Sequence, residues 1–250
     1  MPPRYEVIGV EGLPEISPGA DLAALIVEAA RRQATPLAAG DLLVVSQKIV
    51  SKTEGRLVRL GDVSPSPRAA ALAAEIDRDP RLVEVILGET RRIVRQATGV
   101  LIVETHQGWI CANAGVDQSN VDPDTACLLP VDADASARSL RRRLAELSGH
   151  TLAVIIADTF GRPWREGLVN VAVGLAGLEP IVSYLGETDP AGHVLQATIL
   201  AVADELASAA EPVMGKLDRI PVVIIRGARW TAAEADSRPL LRDPARDLFR

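Results

Sequence analysis

The chain has few aromatic residues. Phe, Trp and Tyr make up 3% of its 250 residues, so its core must be built mostly from Ala, Val, Leu and Ile. It has only two cysteines, Cys111 and Cys127, without CxxC spacing, which excludes a disulfide framework and favours a reduced setting. No stretch approaches the length of a membrane span, and the N-terminus lacks the pattern of a signal peptide. We therefore expect a cytoplasmic protein.

The chain also lacks an excess of basic residues and the common nucleotide and zinc motifs. A net charge of −6 argues against a nucleic-acid partner, which would need a basic face. There is no GxxxxGK[ST] element, no GxGxxG, no HxH or HxxxH pair and no GxSxG elbow. Walker-type, Rossmann, zinc and serine-hydrolase sites therefore have no support. Any phosphate or metal site must be built in another way.

The pattern of apolar residues predicts a mixed α+β fold. Strands are expected at residues 5–10, from 41 to a polar switch at 46, at 55–60 as the partner of that strand, and at 91–95, 99–104, 151–157 and 220–227. Helices are expected at residues 21–33, 69–78, 80–87, 136–148 and 196–211, and partly in the tail 231–250. Residues 114–134 are typical of an ordered loop, and 169–186 fit a helix or a strand. We expect one unit over residues 1–250, with two interleaved subdomains as the alternative organisation.

Two acidic loops are the most informative features. The apolar run before Asp158 predicts a buried strand that ends at Asp158 and Thr159, a rigid place for a carboxylate. Asp117 lies in a second loop with Gly115 and Asn120. Carboxylates at two such turns are typical of a hard metal that carries phosphates. Each aspartate could equally be a turn residue that bonds its own backbone, so the pair is more informative than either one.

Basic residues accompany these loops. Lys48 and Lys52 follow the strand that switches at Ser46, and lysine donors there would neutralise phosphate charge. Arg162 and Arg165 offer forks for a carboxylate or phosphate, or pair on the surface with neighbours such as Glu166.

Seven segments, in order and over nearly the whole chain, resemble the coenzyme F420-0:L-glutamate ligase family, also called F420 gamma-glutamyl ligases. They are GLPEISPGADL, LLVVSQKIVSKTEGRLV, ETRRIVRQ, CANAGVDQSNV, IIADTFGRPWREGLVNVAVG, VADELASAAEPVMGK and IPVVIIRG. The resemblance implies a GTP-dependent, GDP-forming ligase that adds L-glutamate to coenzyme F420-0 through an acyl phosphate, with further γ-linked glutamates as an option. It also implies Mg²⁺ or Mn²⁺, assistance by K⁺, and an intertwined α+β homodimer. We expect no C-terminal reductase-like domain of the kind that some relatives carry.

The resemblance also implies roles for residues of this sequence. Asp117, Asp158 and Thr159 fall on metal ligands, and Lys52, Arg162 and Arg165 are the candidates for assisting the reaction. Nucleotide-binding positions fall on Leu13, Pro14, Glu15, Ile16, Ser46, Gln47, Lys52, Asn120, Met214, Gly215 and Lys216. Lys216 departs from the family, where some relatives have a metal-linked glutamine, because a charged lysine has no lone pair for a metal.

Three alternatives remain at this point. The chain could be an amide ligase for a different phosphorylated acid, or a nucleotide or F420-binding module without catalytic activity. The acidic loops could also be ordinary turns.

Overall fold

The computed structural model describes residues 2–247 and contains both helices and strands, as expected for a mixed fold. The helices are α1 (Leu22–Arg32), α2 (Gln47–Thr53), α3 (Pro67–Ile76), α4 (Pro80–Gly88), α5 (Ala133–Ser148) and α6 (Val202–Met214). The strands are β1 (Glu6–Gly9), β2 (Leu42–Ser46), β3 (Leu57–Arg59), β4 (Thr90–Ala97), β5 (Val100–Thr105), β6 (Ile110–Ala112), β7 (Thr125–Cys127), β8 (Ala153–Arg162), β9 (Arg165–Ala176), β10 (Val182–Ser183), β11 (Ile199–Leu200) and β12 (Val222–Arg226).

The central sheet has five strands in the order β1-β12-β2-β8-β9. Only β2 and β8 are parallel neighbours; the other pairs are antiparallel. Helices cover both faces, which explains why β2 and β12 are apolar runs and do not alternate with polar residues. Leu43 and Val45 of β2 pack in one core with α1 and α5, whereas Leu42 and Val44 pack in a second core with α6.

A third hydrophobic core is built from residues 58–128. Helices α3 and α4 pack there against the small sheet β4-β5-β6 and the pair β3-β7. Leu101 and Val103 of β5 are fully buried in it. This core is separate in sequence from the other two, while the division of the chain into subdomains stays a prediction.

Several predicted elements are confirmed. Helix α1 begins after Asp21, whose Oδ1 accepts a hydrogen bond from the Ala24 backbone N–H at 3.1 Å, the usual device for satisfying a free donor at a helix start. Leu22 and Ile26 are buried on its apolar stripe. The expected strand pair at 91–95 and 99–104 is β4 and β5, and α3, α4 and α5 lie close to their expected bounds.

The prediction that residues 55–60 pair with β2 is wrong. β2 lies in the middle of the sheet, where β12 and β8 occupy both of its edges. β3 pairs instead with β7. The strand predicted from 41 to the polar switch at 46 is confirmed as β2, and the polar residues after Ser46 form helix α2.

The strand predicted to end at Asp158 and Thr159 continues as β8 to Arg162. The reason is non-local: β9 pairs with it throughout this extension, and the chain turns only at Pro163 and Trp164, whose φ is +62°. The ambiguous stretch from residue 169 is therefore strand as far as Ala176.

Two further expectations differ from the structure. The helix predicted at 196–211 begins only at Val202, because Ile199 and Leu200 form β11, and it ends at Met214 with Pro212 inside its last turn. The predicted loop 114–134 contains β7, and the tail has two 3₁₀ turns, Arg238–Leu240 and Pro244–Arg246.

The parts of the tail and domain predictions that fall on residues 1 and 248–250 lie outside the described residues. Within residues 2–247 no helix has the length and apolar character needed to cross a membrane.

Candidate functional site

The topology of the central sheet brings four segments to one edge. β2 and β8 are parallel and in register from Leu42 opposite Ala153 to Ser46 opposite Ala157, so their carboxyl ends meet. Helix α2 begins directly after Ser46, and Asp158 directly follows Ala157 on β8. The start of β12 joins them, because the Ser46 N–H donates to the Pro221 carbonyl at 2.8 Å. The fourth segment is the loop after Val116.

Asp158 is half-buried at this edge. Burial raises the pKa of its carboxyl to about 6, and the nearby Asp117 carboxylate pushes the pKa in the same direction. The Thr159 backbone N–H and the ammonium groups of Lys48 and Lys216 oppose that rise without cancelling it. Asp158 is thus a desolvated carboxyl close to one other carboxylate and two cations.

Asp117 is held in a different way. Its backbone forms a two-bond bridge with Cys127, which fixes the loop against β7. Ser119 donates to the Asp117 carboxylate through its backbone N–H at 2.8 Å and its hydroxyl at 2.7 Å, the turn geometry that was the alternative to a binding role. Lys48 Nζ also donates to Asp117 Oδ2 at 2.5 Å. Burial alone would raise the pKa of Asp117, but the Lys48 and Ser119 hydrogen bonds outweigh it and hold the pKa below its usual value.

Thr159 follows Asp158 on β8, so its side chain points to the other face of the strand. Its hydroxyl donates to Asn170 Oδ1 at 2.8 Å and accepts from Lys216 Nζ at 2.9 Å. Lys216 also pairs with Glu211 at 2.7 Å. The structure therefore brings Asp117 and Asp158 together, while Thr159 lies beside Lys216.

The end of α6 joins the site through the same contacts. Asn170 Nδ2 lies 3.5 Å from Met214 Sδ, which places Met214 behind Thr159. Gly215 closes the helix with φ +56° and ψ −176°, a conformation open almost only to glycine. Lys216 follows at once, so the tight turn directs its ammonium back to β8.

The predicted nucleotide segment 13–16 packs along α2. Lys52 Nζ and Glu15 Oε1 form an ion pair; the Lys52 side chain is 9% exposed and that of Glu15 77%. Leu13 packs against the core and Ile16 is buried, whereas Pro14 is exposed. The segment thus presents a polar outer edge next to the carboxyl end of β2.

Ser46, Gln47 and Asn120 offer different groups to a ligand. Gln47 is buried and its Oε1 accepts from the Ser51 hydroxyl at 2.9 Å, so its side chain faces inward. The Ser46 side chain makes no capping bond to α2. Asn120 follows Ser119 with φ +54°, the left-handed conformation that asparagine tolerates, and is exposed.

Arg162 and Arg165 lie opposite each other at the end of the β8-β9 hairpin. Arg162 is four residues beyond Asp158, roughly 13 Å along an extended strand. Its Nη2 donates to the Glu166 carbonyl at 3.0 Å, and its Nε is buried without a hydrogen-bond partner. The predicted surface pair with the Glu166 carboxylate is not formed by Arg162, which contacts only the backbone of that residue. The arginines thus stand apart from the two aspartates.

Sequence reasoning did not assign Lys48, Ser119, Asn170 and Glu211 to the site, although it noted Lys48 as a donor for phosphate. Lys48 links the two acidic segments, because its ammonium donates a hydrogen bond to Asp117 and its charge opposes the rise in the pKa of Asp158. Its position two residues after the end of a buried strand was the available signal. The other three could not be found without knowing which strands are neighbours.

The donor set fits a hard cation and does not fit zinc. Among residues 2–247 no three His, Cys, Asp or Glu side chains are grouped in a way that could hold a metal ion alone. Two carboxylates are present instead, with the Thr159 hydroxyl on the other face of β8. Mg²⁺ or Mn²⁺ commonly binds one or two protein carboxylates and takes its other ligands from phosphates and water. Cys111 lies near Asp158, but burial raises the pKa of its thiol to about 12, so it is not a thiolate ligand.

A cavity of about 410 Å³ lies elsewhere, at the start of α5. Trp109, Leu129, Arg138 and Ser237 are among its lining residues. None of the residues predicted for the nucleotide or metal lines it, and two of its charged groups, Asp132 and Arg138, lie 3.9 Å apart. The candidate site is therefore the polar edge of the sheet.

Comparison with known proteins gives a consistent result. The model of the F420-0:Gamma-glutamyl ligase family matches residues 12–227. The chain is 49% identical to the Coenzyme F420:L-glutamate ligase of Methanothermobacter thermautotrophicus, over 98% of each chain. It is 46% identical to the protein of that name from Methanopyrus kandleri, over 99% of this chain and 97% of the relative, and 40% identical to that from Methanocaldococcus jannaschii, with the same coverage. With these matches over nearly its whole length, the chain belongs to the F420-0:gamma-glutamyl ligase family and is a ligase.

Proposed function

We propose that the chain joins L-glutamate to coenzyme F420-0 in a reaction that consumes GTP and requires Mg²⁺ or Mn²⁺. The observation that carries this proposal is the meeting of Asp117 and Asp158 with Lys48 and Lys216 at one edge of the sheet. Two carboxylates beside two cations suit a triphosphate that arrives with a divalent ion. The names of the relatives support the glutamate and F420 part.

In this proposal Asp117, Asp158 and Thr159 hold the divalent ion. The ion supplies charge neutralisation at the phosphates, which lets the carboxylate of F420-0 approach the γ-phosphate. Lys52 and Lys216 bind phosphate oxygens, and the segment 13–16 with Ser46, Gln47 and Asn120 holds the rest of the nucleotide. K⁺ assists as a further counter-ion.

The chemistry proposed is activation followed by substitution. A carboxylate oxygen of F420-0 attacks the γ-phosphorus of GTP, the bond from that phosphorus to the β-γ bridging oxygen breaks, and GDP leaves with that oxygen. The amino group of glutamate, having lost a proton, then attacks the acyl phosphate, an amide bond forms, and phosphate leaves. Further γ-linked glutamates would be added by the same two steps. The site residues act mainly by positioning and by reducing repulsion between anions.

Arg162 and Arg165 are proposed to receive an anionic group of a substrate. Both lie on the β8-β9 hairpin that extends beyond Asp158. The partnerless Nε of Arg162 supports this, because a buried donor without an acceptor costs free energy that a bound anion would recover.

We also propose that the chain acts as a homodimer in which the hairpin contacts the second copy. Trp164 is 86% exposed and Leu168 65%, and Leu185 and Val194 are about half exposed on the segment between β10 and β11. Large exposed apolar side chains are typical of an interface when they form one patch. Sedimentation velocity is expected to give a dimer, and Leu168→Glu a monomer; a monomeric wild-type protein at micromolar concentration would contradict this.

The function is tested by mass spectrometry of F420-0 incubated with GTP, Mn²⁺ and L-glutamate. We expect product heavier by one glutamate residue, and none with Asp158→Asn. A protein that binds GTP and Mn²⁺ without forming product would instead be a binding module. Product from other phosphorylated acids, but none from F420-0, would indicate a different amide ligase.

A further inference from the structure

Lys48 is the one cation that bonds the carboxylate of a predicted metal ligand directly in the described part of the chain. Its ammonium donates to Asp117 Oδ2 at 2.5 Å, to the Ser119 carbonyl at 2.7 Å and to the Ser119 hydroxyl at 2.6 Å. An ammonium has three donors, so these three oxygens satisfy it completely. Its side chain is 15% exposed, so the contact is sheltered from solvent.

The same contacts leave Asp117 little capacity for another cation. Asp117 Oδ1 accepts the Ser119 backbone N–H, and Oδ2 accepts both Lys48 and the Ser119 hydroxyl. A divalent ion on Oδ2 would lie in contact with the ammonium, and two cations so close repel each other strongly in a partly buried site. Lys48 and a divalent ion therefore compete for Asp117.

We propose that Lys48 controls metal binding by occupying Asp117, and that it moves to a nucleotide phosphate when the nucleotide arrives. This rests on the proposed function, since it needs a divalent ion at Asp117 and a phosphate beside it. Lys48 is then a positioning residue that couples the two ligands: the nucleotide removes the competing ammonium, and the divalent ion binds only where it is needed. Lys52, one helical turn further along α2, has a separate partner in Glu15 and does not take this role.

The geometry also separates this role from a merely structural one. If Lys48 only held the loop in place, its removal would loosen Asp117 and weaken metal binding. If it competes, its removal frees a carboxylate oxygen and strengthens metal binding in the protein alone. The two roles thus predict opposite signs for one measurement.

The test is a titration of purified protein with Mn²⁺, followed by electron paramagnetic resonance, with and without the GTP analogue guanylyl imidodiphosphate. For Lys48→Met without nucleotide we expect Mn²⁺ affinity about tenfold higher than wild type, as one competing charge is lost. The analogue should raise Mn²⁺ affinity less in Lys48→Met than in wild type. Lys48→Arg, which keeps the charge, should remain within about threefold of wild type.

Arg59→Gln is the matched control, because it also removes one positive charge but from an exposed pair with Asp62. Circular dichroism and thermal unfolding establish that each variant is folded. Unchanged or weaker Mn²⁺ binding in Lys48→Met, with normal binding in wild type plus analogue, would overturn the role of Lys48 alone. No Mn²⁺ binding in wild type with the analogue would overturn both this role and the proposed metal site.

Discussion

Asp117 and Asp158 are the same residue type at the same edge of the sheet, but the protein holds them in opposite ways. Asp117 lies in a loop and is compensated by Lys48 and by two donors of Ser119, so its pKa is below the usual value. Asp158 lies on a buried strand and receives only a backbone N–H, so desolvation raises its pKa to about 6. The Asp117 anion is stabilised by donors within the chain, whereas the Asp158 anion would be stabilised by a bound cation.

The difference indicates how such a site is built. Two neighbouring acids whose surroundings move their pKa values apart are a common feature of functional sites. Burying a carboxylate without a compensating partner lowers the stability of the fold, so such a residue usually has a function. The loop aspartate is stabilised within the chain. The ionised strand aspartate lowers the stability of the fold, and binding of a cationic ligand would recover that free energy. Its ionisation therefore depends more on a bound ligand than that of the loop aspartate.

The largest expected effect is on activity. We expect Asp158→Asn to reduce glutamate addition to F420-0 by at least about a hundredfold, because an amide carries no charge to offset that of a divalent ion. Asp117→Asn should lose activity to a similar degree. Product formation is measured by mass spectrometry, with the exposed Asp62→Asn as a control that keeps full activity. An Asp158→Asn enzyme within threefold of wild type would contradict the proposed metal role.

The second expected effect is an opposite pH dependence of stability. The folded-state pKa of Asp158 is about 6, above the ordinary 3.8, so the stability that this group contributes is complete below pH 3.8 and is lost as the pH rises through 6. The Asp158→Asn variant should therefore gain about 3 kcal/mol in free energy of unfolding, relative to wild type, between acidic and neutral pH.

For Asp117 the sign is reversed. Its pKa is lowered, so its contribution is present above pH 3.8 and is lost as the pH falls through the lowered value. Asp117→Asn should thus be less stable than wild type at neutral pH. Urea unfolding in a buffer with a chelator, at several pH values, measures both. If the free energy of unfolding of both variants, relative to wild type, changed in the same direction with pH, the contrast between the two carboxylates would be wrong.

Much of this contrast could not be predicted from sequence. The strands β2 and β8 and helix α1 were predictable, because long apolar runs and a capped, amphipathic stripe are local signals. The two acidic loops were also found from their composition. Their meeting depends on β2 and β8 being parallel neighbours, which is set by packing across the whole sheet.

The errors have the same origin. The end of the apolar run predicted that the strand ends at Asp158 and Thr159, but pairing with β9 overrides this local signal and carries the strand to Arg162. Helix α2 has only seven residues, too few for a clear periodicity. Lys48 is on that helix, and this is why its contact with Asp117 could not be foreseen.

The third expected effect concerns the strand that supports Asp158. Gly174 of β9 pairs with Ile156, and a Cβ there would overlap the backbone of Ala133 at the start of α5. Gly174→Ala is expected to destabilise the fold by about 2–3 kcal/mol, since neither backbone can move freely. Gly88→Ala is the matched control: nothing lies within 4 Å of its Cβ position and it ends helix α4, so it should be neutral or stabilise by about 0.5 kcal/mol. Equal effects of the two substitutions in thermal unfolding would argue against tight packing behind Asp158.

The smallest expected effect tests whether the Lys48–Asp117 ion pair stabilises the fold more than the second lysine ion pair of α2 does. Lys52 pairs with Glu15, whose side chain is 77% exposed, compared with 44% for Asp117. Solvent screens the more exposed pair, so Glu15→Gln should lower the free energy of unfolding by less than about 1 kcal/mol. Asp117→Asn should lower it by more, because the sheltered Lys48 loses its main partner. Urea unfolding at neutral pH compares them, with Asp62→Asn as an exposed reference. A larger loss for Glu15→Gln than for Asp117→Asn would mean that the segment 13–16, and not the Asp117 loop, holds the lysine helix in place.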